Sequence, residues 1–343
     1  MSRNEPTGKS VVAALALVVR RYLILLTLAS TLLAIPIGYY LSGVVAANRP
    51  LISNLVVVLA VLTIYPSMIQ LKTEGLLKSM RKVKEILLSL IYVFLASPLL
   101  AILVAPTLGD PYVGVGYVAA NVVPASSASL GYVLIAGGSV ELATVLAVLT
   151  LVVGIPVIPL IIGAYSSSVA IPVPMEPIIT SLVEILLLPL LAGQLTRYAL
   201  VRRKGVSYVE KTIRPHLSLA TMLAMLALVF VLVLNQAMTI VAKPALAVLV
   251  IAYQSVVIAA LLLLSLVVSK LLRVSYEDHQ ALALISITKN QSAAAAMAFT
   301  AFGLRSALAP ALIPIIQPVL AIAYLQAESW ARKFLSGGTL QPA

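Results

Sequence analysis

Long apolar runs separated by short polar segments dominate this 343-residue chain. A helix needs about 20 consecutive apolar residues to cross the hydrocarbon core of a bilayer. Ten stretches approach or exceed that length, at about 22–44, 51–71, 85–107, 112–136, 140–165, 175–197, 215–236, 244–269, 279–302 and 306–328. The pattern therefore predicts an all-α polytopic membrane protein with ten transmembrane helices. The run Val11–Val19 ahead of Arg20 and Arg21 is too short to span, and no small-residue cleavage site follows it. It reads as a juxtamembrane helical lead-in rather than a signal peptide. The expected organisation is an N-terminal segment 1–21, a transmembrane unit 22–328 and a tail 329–343.

Composition removes the alternatives. Hydrophobic residues make up 62% of the chain and charged residues only 10%, so a soluble fold could not cover its own apolar surface. The net charge of +12 would suggest nucleic acid on a soluble protein. Here its distribution points to topology instead. Nineteen of the 23 basic residues fall in segments that alternate spans place on one side, against Arg49, Lys243 and Arg305 on the other. The excess marks the cytoplasmic side, so both termini are expected in the cytoplasm of a cell-membrane protein. There is no cysteine, which excludes disulfides and thiolate metal sites, and His216 and His279 are both expected in loops beside charged residues. No metal and no cofactor is expected on this basis.

One basic residue does not fit the loops. Lys289 falls in the middle of the ninth stretch, within Thr288-Lys289-Asn290-Gln291-Ser292. A charge at that depth costs about 3 kcal/mol on insertion scales, so it must face protein or water and marks a substrate or ion site. A buried Lys that staples broken-helix carbonyls is the structural alternative. The fourth stretch carries a comparable patch, Asn121-Val-Val-Pro124-Ala-Ser126-Ser127-Ala-Ser129. Pro124 removes a backbone donor and breaks or kinks the helix, and the serines offer local hydroxyl partners. Close packing of a kinked helix would use the same small residues.

The two patches sit five spans apart. Two five-helix units of odd count insert in opposite orientations, so the expected plan is a pair of inverted repeats, about 22–165 and 175–328. Discontinuous helices four and nine would then cross at the binding site. The candidate substrate-binding residues are Pro124, Ser126, Ser127, Ser129, Thr288, Lys289, Asn290, Gln291 and Ser292, with Glu184 as a possible counter-charge to Lys289. Gln254 and Gln317 could line a cavity or bond between helices, and Gln70 is placed among headgroups.

Enzyme motifs are missing. Gly8-Lys9-Ser10 lacks the upstream glycine of a phosphate loop, and no His-Glu-x-x-His or Gly-x-Ser-x-Gly occurs. With no soluble segment long enough for a nucleotide domain, transport driven by a gradient remains, with a channel or membrane sensor as competitor.

Several stretches resemble the bile acid:sodium symporter family and, more distantly, the arsenite efflux permeases. They are Ser97-Pro98-Leu-Leu-Ala101, Pro124-Ala-Ser-Ser-Ala-Ser129, Leu187-Leu188-Pro189, Tyr276-Glu-Asp-His-Gln280 and Asn290-Gln291-Ser292, in order over most of residues 50–325. The resemblance implies ten helices in a panel and a core, with substrate beside the crossing of spans four and nine and alternating access between the two parts. It also implies sodium ligands, and there the chain departs. Ser129 is kept, but the other ligand positions align with Val93, Leu130, Ala143, Ala147 and Ser286. Hard cations need oxygen ligands, so the sodium sites are expected to be lost, with the Lys289 ammonium in place of a coupling cation. The arsenite permeases' cysteine has no counterpart, and their ninth-helix Glu aligns with Ser292. The reading is a secondary transporter of a small, anionic organic solute, coupled to protons or to no ion. A metalloid exporter with hydroxyl chemistry is the alternative.

Overall fold

Apolar patterning becomes helix throughout the residues described. The computed structural model describes residues 11–71, 80–126 and 128–335. The lead-in Val11–Arg21 is helix α1, followed by α2 (Leu23–Tyr40) and α3 (Arg49–Gln70). Next come α4 (Val83–Leu108), α5 (Pro111–Val122), α6 (Ala128–Ile135), α7 (Val140–Ser168) and α8 (Met175–Lys204). The second half holds α9 (Val206–Ala242), α10 (Pro244–Leu271), α11 (Tyr276–Ile287), α12 (Gln291–Phe302), α13 (Leu304–Gln326) and α14 (Glu328–Leu335). Eight of these, α2, α3, α4, α7, α8, α9, α10 and α13, are long and apolar enough to cross a bilayer. The chain is an all-α, multi-pass membrane protein.

Local chemistry explains where helices begin. The Asp110 carboxylate accepts from Tyr112 N at 3.0 Å and Val113 N at 3.4 Å, with Pro111 behind it, and so starts α5. Ser139 and Ser275 cap α7 and α11 in the same way, through Leu142 N and Asp278 N. Each cap satisfies backbone donors that a helix start leaves open.

Long-range packing sorts the helices. Helix α9 lies along both α2 and α3, and α1 packs on it as well. Helix α10 packs on α13 and α11, and α5 on α7, α12 and α13. Two glycines permit the closest approaches. A Cβ on Gly38 of α2 would collide with the Leu234 carbonyl of α9, and one on Gly116 of α5 with the Ser306 carbonyl. Small residues at such points let backbones touch, which is where packing energy comes from when lipid is the solvent.

Two expectations are corrected. His279 does not lie in a loop: it is fully buried in α11, where its ring bonds Ser269 Oγ at 2.9 Å and Tyr324 Oη at 2.7 Å. Capped by Ser275, the helix starts at Tyr276, three residues before the apolar stretch read from 279, so His279 is helical. Gln70, half-buried at the end of α3, accepts the Ser218 hydroxyl at 2.8 Å and ties α3 to α9. His216 does not lie in a loop either: it sits exposed in the first turn of the Arg214–Ala242 helical segment.

Candidate functional site

Two of the sequence-predicted stretches are not continuous helices. The 112–136 stretch breaks between α5 and α6, and the 279–302 stretch breaks between α11 and α12. Pro124 explains the first break, since it has no N–H and pushes Val123 to an extended conformation with ψ of 154°. At the second, Thr288 and Asn290 leave the helical region at ψ of 82° and 83°.

The two breaks complete each other. Ala125 and Lys289 form an isolated antiparallel bridge. Ser126 N donates to the Thr288 carbonyl at 2.8 Å, and Asn290 N donates to the Pro124 carbonyl at 2.9 Å. Non-helical backbone survives at membrane depth only where protein satisfies it, and here each broken segment does so for the other.

Side chains take the remaining backbone groups. Gln317 of α13 accepts from Lys289 N at 3.2 Å and donates to the Lys289 carbonyl at 3.1 Å. Gln291 donates to the Ala120 carbonyl at 3.1 Å and to Gln317 Oε1 at 3.2 Å. Ser97 Oγ donates to the Asn121 carbonyl at 2.8 Å. Asn290 Oδ1 caps α12 through Ala293 N at 3.2 Å. Ser126 Oγ accepts from Ala128 N at 3.3 Å, and the Ser129 hydroxyl donates to the Ser126 carbonyl. Beneath the crossing, Asn121 and Gln254 exchange two amide bonds at 3.0 and 3.2 Å.

The Lys289 ammonium has a specific acceptor. Residues 92–96 form a π-helical turn inside α4, in which Ser97 N–H bonds the Tyr92 carbonyl, one residue out of α-helical register. The next residue is Pro98, which has no N–H to offer. The Val93 carbonyl is thus left without an α- or π-register donor, and Lys289 Nζ takes it at 3.2 Å. Lys289 is 2% exposed. Among the described residues no carboxylate lies within ion-pair distance of it. A π-turn that frees a carbonyl is a recurrent feature of functional helices.

Pro124, Ser126, Thr288, Lys289, Asn290 and Gln291 therefore meet at one crossing. Ser129 and Ser292 lie a turn further along α6 and α12, both buried. Ser127 lies outside the described residues. Glu184 is not brought to Lys289: it sits exposed in a second π-helical turn, Val183–Leu187, while Lys289 is enclosed. The resemblance-aligned positions Val93, Ala143 and Ala147 are buried and apolar, and the Ser286 hydroxyl is used by the Leu282 carbonyl at 2.6 Å. Sequence reasoning missed Ser97 and the Val93 carbonyl as parts of the site. The Ser97-Pro98 pair and the alignment of Val93 with a ligand position were their signals, and a π-turn cannot be read from either.

A family model described as the Sodium Bile acid symporter family matches residues 56–243. The match takes in Val93, Ser97, Pro124 and the serines after it, and ends before Lys289. No curated protein matches the chain.

Proposed function

The chain belongs to the Sodium Bile acid symporter family, and on that premise we propose that it carries a small organic anion across the membrane without sodium, the Lys289 ammonium standing in for a coupling cation. It is a membrane transporter, not an enzyme.

In this reading the eight continuous helices and the two interrupted ones make ten spans. They form two inverted five-helix units, 22–165 and 175–328, with segments 1–21 and 329–343 in the cytoplasm. Pro124, Ser126, Ser129, Thr288, Asn290, Gln291 and Ser292 line the crossing around Lys289. The supporting observation is an ammonium enclosed at a helix crossing with a backbone carbonyl but, among the described residues, no carboxylate. Such a charge is costly until an anion arrives, and a solute carboxylate can supply what the protein withholds. Beside it, Val93, Ala143 and Ala147 present no side-chain oxygen to a hard cation. Alternating access follows from motion of the parts that meet at the crossing.

The test is uptake of labelled organic anions into proteoliposomes with sodium or with potassium. Uptake should be equal in the two buffers and fall about tenfold or more in Lys289→Ala, the loss expected for one charge-assisted contact. Strong sodium dependence that persists in Lys289→Ala overturns the proposal.

A further inference from the structure

Away from the crossing, the structure contains a concavity. A cavity of about 690 Å³ is bordered by Pro50 of α3, Tyr112 of α5, Asn235 of α9, Phe299 and Phe302 of α12, and Arg305 just beyond. Phe302 lies eleven residues past Gln291 along α12, which places the cavity about 16 Å from the crossing by helical rise. Gly303, at φ of +83°, turns the chain there so that Arg305 comes back over the ring of Tyr112, 4.8 Å from its centroid.

The charges around Arg305 are arranged for exchange. Its guanidinium faces Asp110 Oδ2 at 3.4 Å, and the Arg305 side chain is 59% exposed. The other oxygen of Asp110 is committed to capping α5, through Tyr112 N at 3.0 Å and Val113 N at 3.4 Å. The carboxylate is therefore held in place by its cap and meets Arg305 at one long contact. Asp110 is only 11% exposed, but the pair meets at a single 3.4 Å contact from an exposed guanidinium, and a carboxylate that approaches the guanidinium fork with both oxygens would form the stronger, two-bond arrangement. Three aromatic rings, Tyr112, Phe299 and Phe302, border the same space, and rings favour offset or edge contacts with another ring. The space is an open depression, large enough to admit a small organic molecule.

We infer that this cavity is a capture site for aromatic carboxylates, in which Arg305 exchanges Asp110 for the carboxylate of the solute. The inference rests on the reading that the chain carries an organic anion, and it adds a second station to the path. Under the proposed topology the cavity opens on the outer face.

The experiment is equilibrium binding of naphthalene-2-carboxylate to the purified full-length protein, with cyclohexanecarboxylate and naphthalene-2-methylamine as comparison probes. Wild type should bind the aromatic carboxylate most tightly of the three. Arg305→Gln should weaken it about tenfold, and Arg305→Lys less, because the two-bond fork is lost but the charge is kept. Asp110→Asn should tighten it about threefold, because Asn caps a helix as well as Asp does while the competing charge is gone. Lys243→Gln removes a positive charge outside the cavity lining and should leave binding within about twofold. Should Arg305→Gln fail to fold, Asp110→Asn and Phe302→Leu carry the test, the second with an expected loss for the naphthyl probe.

The inference is overturned if wild type does not bind the probe at millimolar concentration. It is also overturned if Asp110→Asn weakens binding, or if Lys243→Gln loses as much as Arg305→Gln. Binding lost in Lys289→Ala but kept in Arg305→Gln puts the probe at the crossing; this inference then fails and the transport reading stands. Binding weakened by Arg305→Gln in a protein that takes up no organic anion leaves the capture site and removes the transport reading.

Discussion

Replacing Gln317 with Leu strikes the support of the crossing without touching a charge. The Gln317 side chain bonds both backbone groups of Lys289, accepting from its N–H at 3.2 Å and sharing its carbonyl, at 3.1 Å, with the Gln291 N–H at 3.0 Å, and it also accepts from Gln291 Nε2 at 3.2 Å. Leucine fills similar space and offers none of these bonds. The buried Lys289 N–H then loses its partner at about 1–3 kcal/mol, while the carbonyl keeps Gln291 N at 3.0 Å and loses only one of two bonds, so Gln317→Leu should cost roughly 2–4 kcal/mol. Gln254→Leu is the matched control. It removes the two amide bonds to Asn121. Yet Asn121 keeps the Tyr117 carbonyl at 3.0 Å and the Ser97 hydroxyl at 3.4 Å. Its loss should stay near about 1 kcal/mol, the usual scale of a side-chain bond between membrane helices. Equilibrium unfolding of both variants in mixed micelles measures the difference. Equal losses, or a larger one for Gln254→Leu, would refute the claim that the Lys289 N–H depends on Gln317.

Other positions test the packing and the clamps. Gly116→Ala should destabilise by about 1–3 kcal/mol, read as a lowered thermal midpoint, because the new methyl meets the Ser306 backbone. Arg197→Leu should cost about 3 kcal/mol or more, since this buried guanidinium bonds the Ile69 carbonyl at 3.1 Å and Glu210 at 3.3 Å. Arg214→Ala removes an exposed partner of the same Glu210 and should change stability by less than about 1 kcal/mol. Ser97→Val should lower stability by about 1–3 kcal/mol, because the Asn121 carbonyl loses its hydroxyl donor inside the protein.

Much of this protein can be read without coordinates, because in lipid the backbone has to satisfy itself and apolar length alone marks the helices. The stretch read as 140–165 is helix Val140–Ser168, and that read as 244–269 is Pro244–Leu271. The same logic singles out Pro124 as a break and Lys289 as a charge that no loop can hold. Glu184 shows the limit. A carboxylate in an apolar stretch looks like a counter-charge, yet which face of a helix it occupies depends on neighbours the sequence does not order. His279 errs the other way, because its charged neighbours suggest a loop while its capped helix buries it.

The sequence by itself determined the all-helical membrane class, the approximate helix limits and the two polar interruptions, since each follows from local composition and from one proline. Only the tertiary structure decided what those interruptions do. The bridge between Ala125 and Lys289, the clasp of Gln317 on the Lys289 backbone and the Val93 carbonyl under the ammonium join segments far apart in the chain. The last depends on a π-turn one residue out of register and on the missing N–H of Pro98. Partners of that kind are selected by packing geometry, and no spacing along a single chain encodes them.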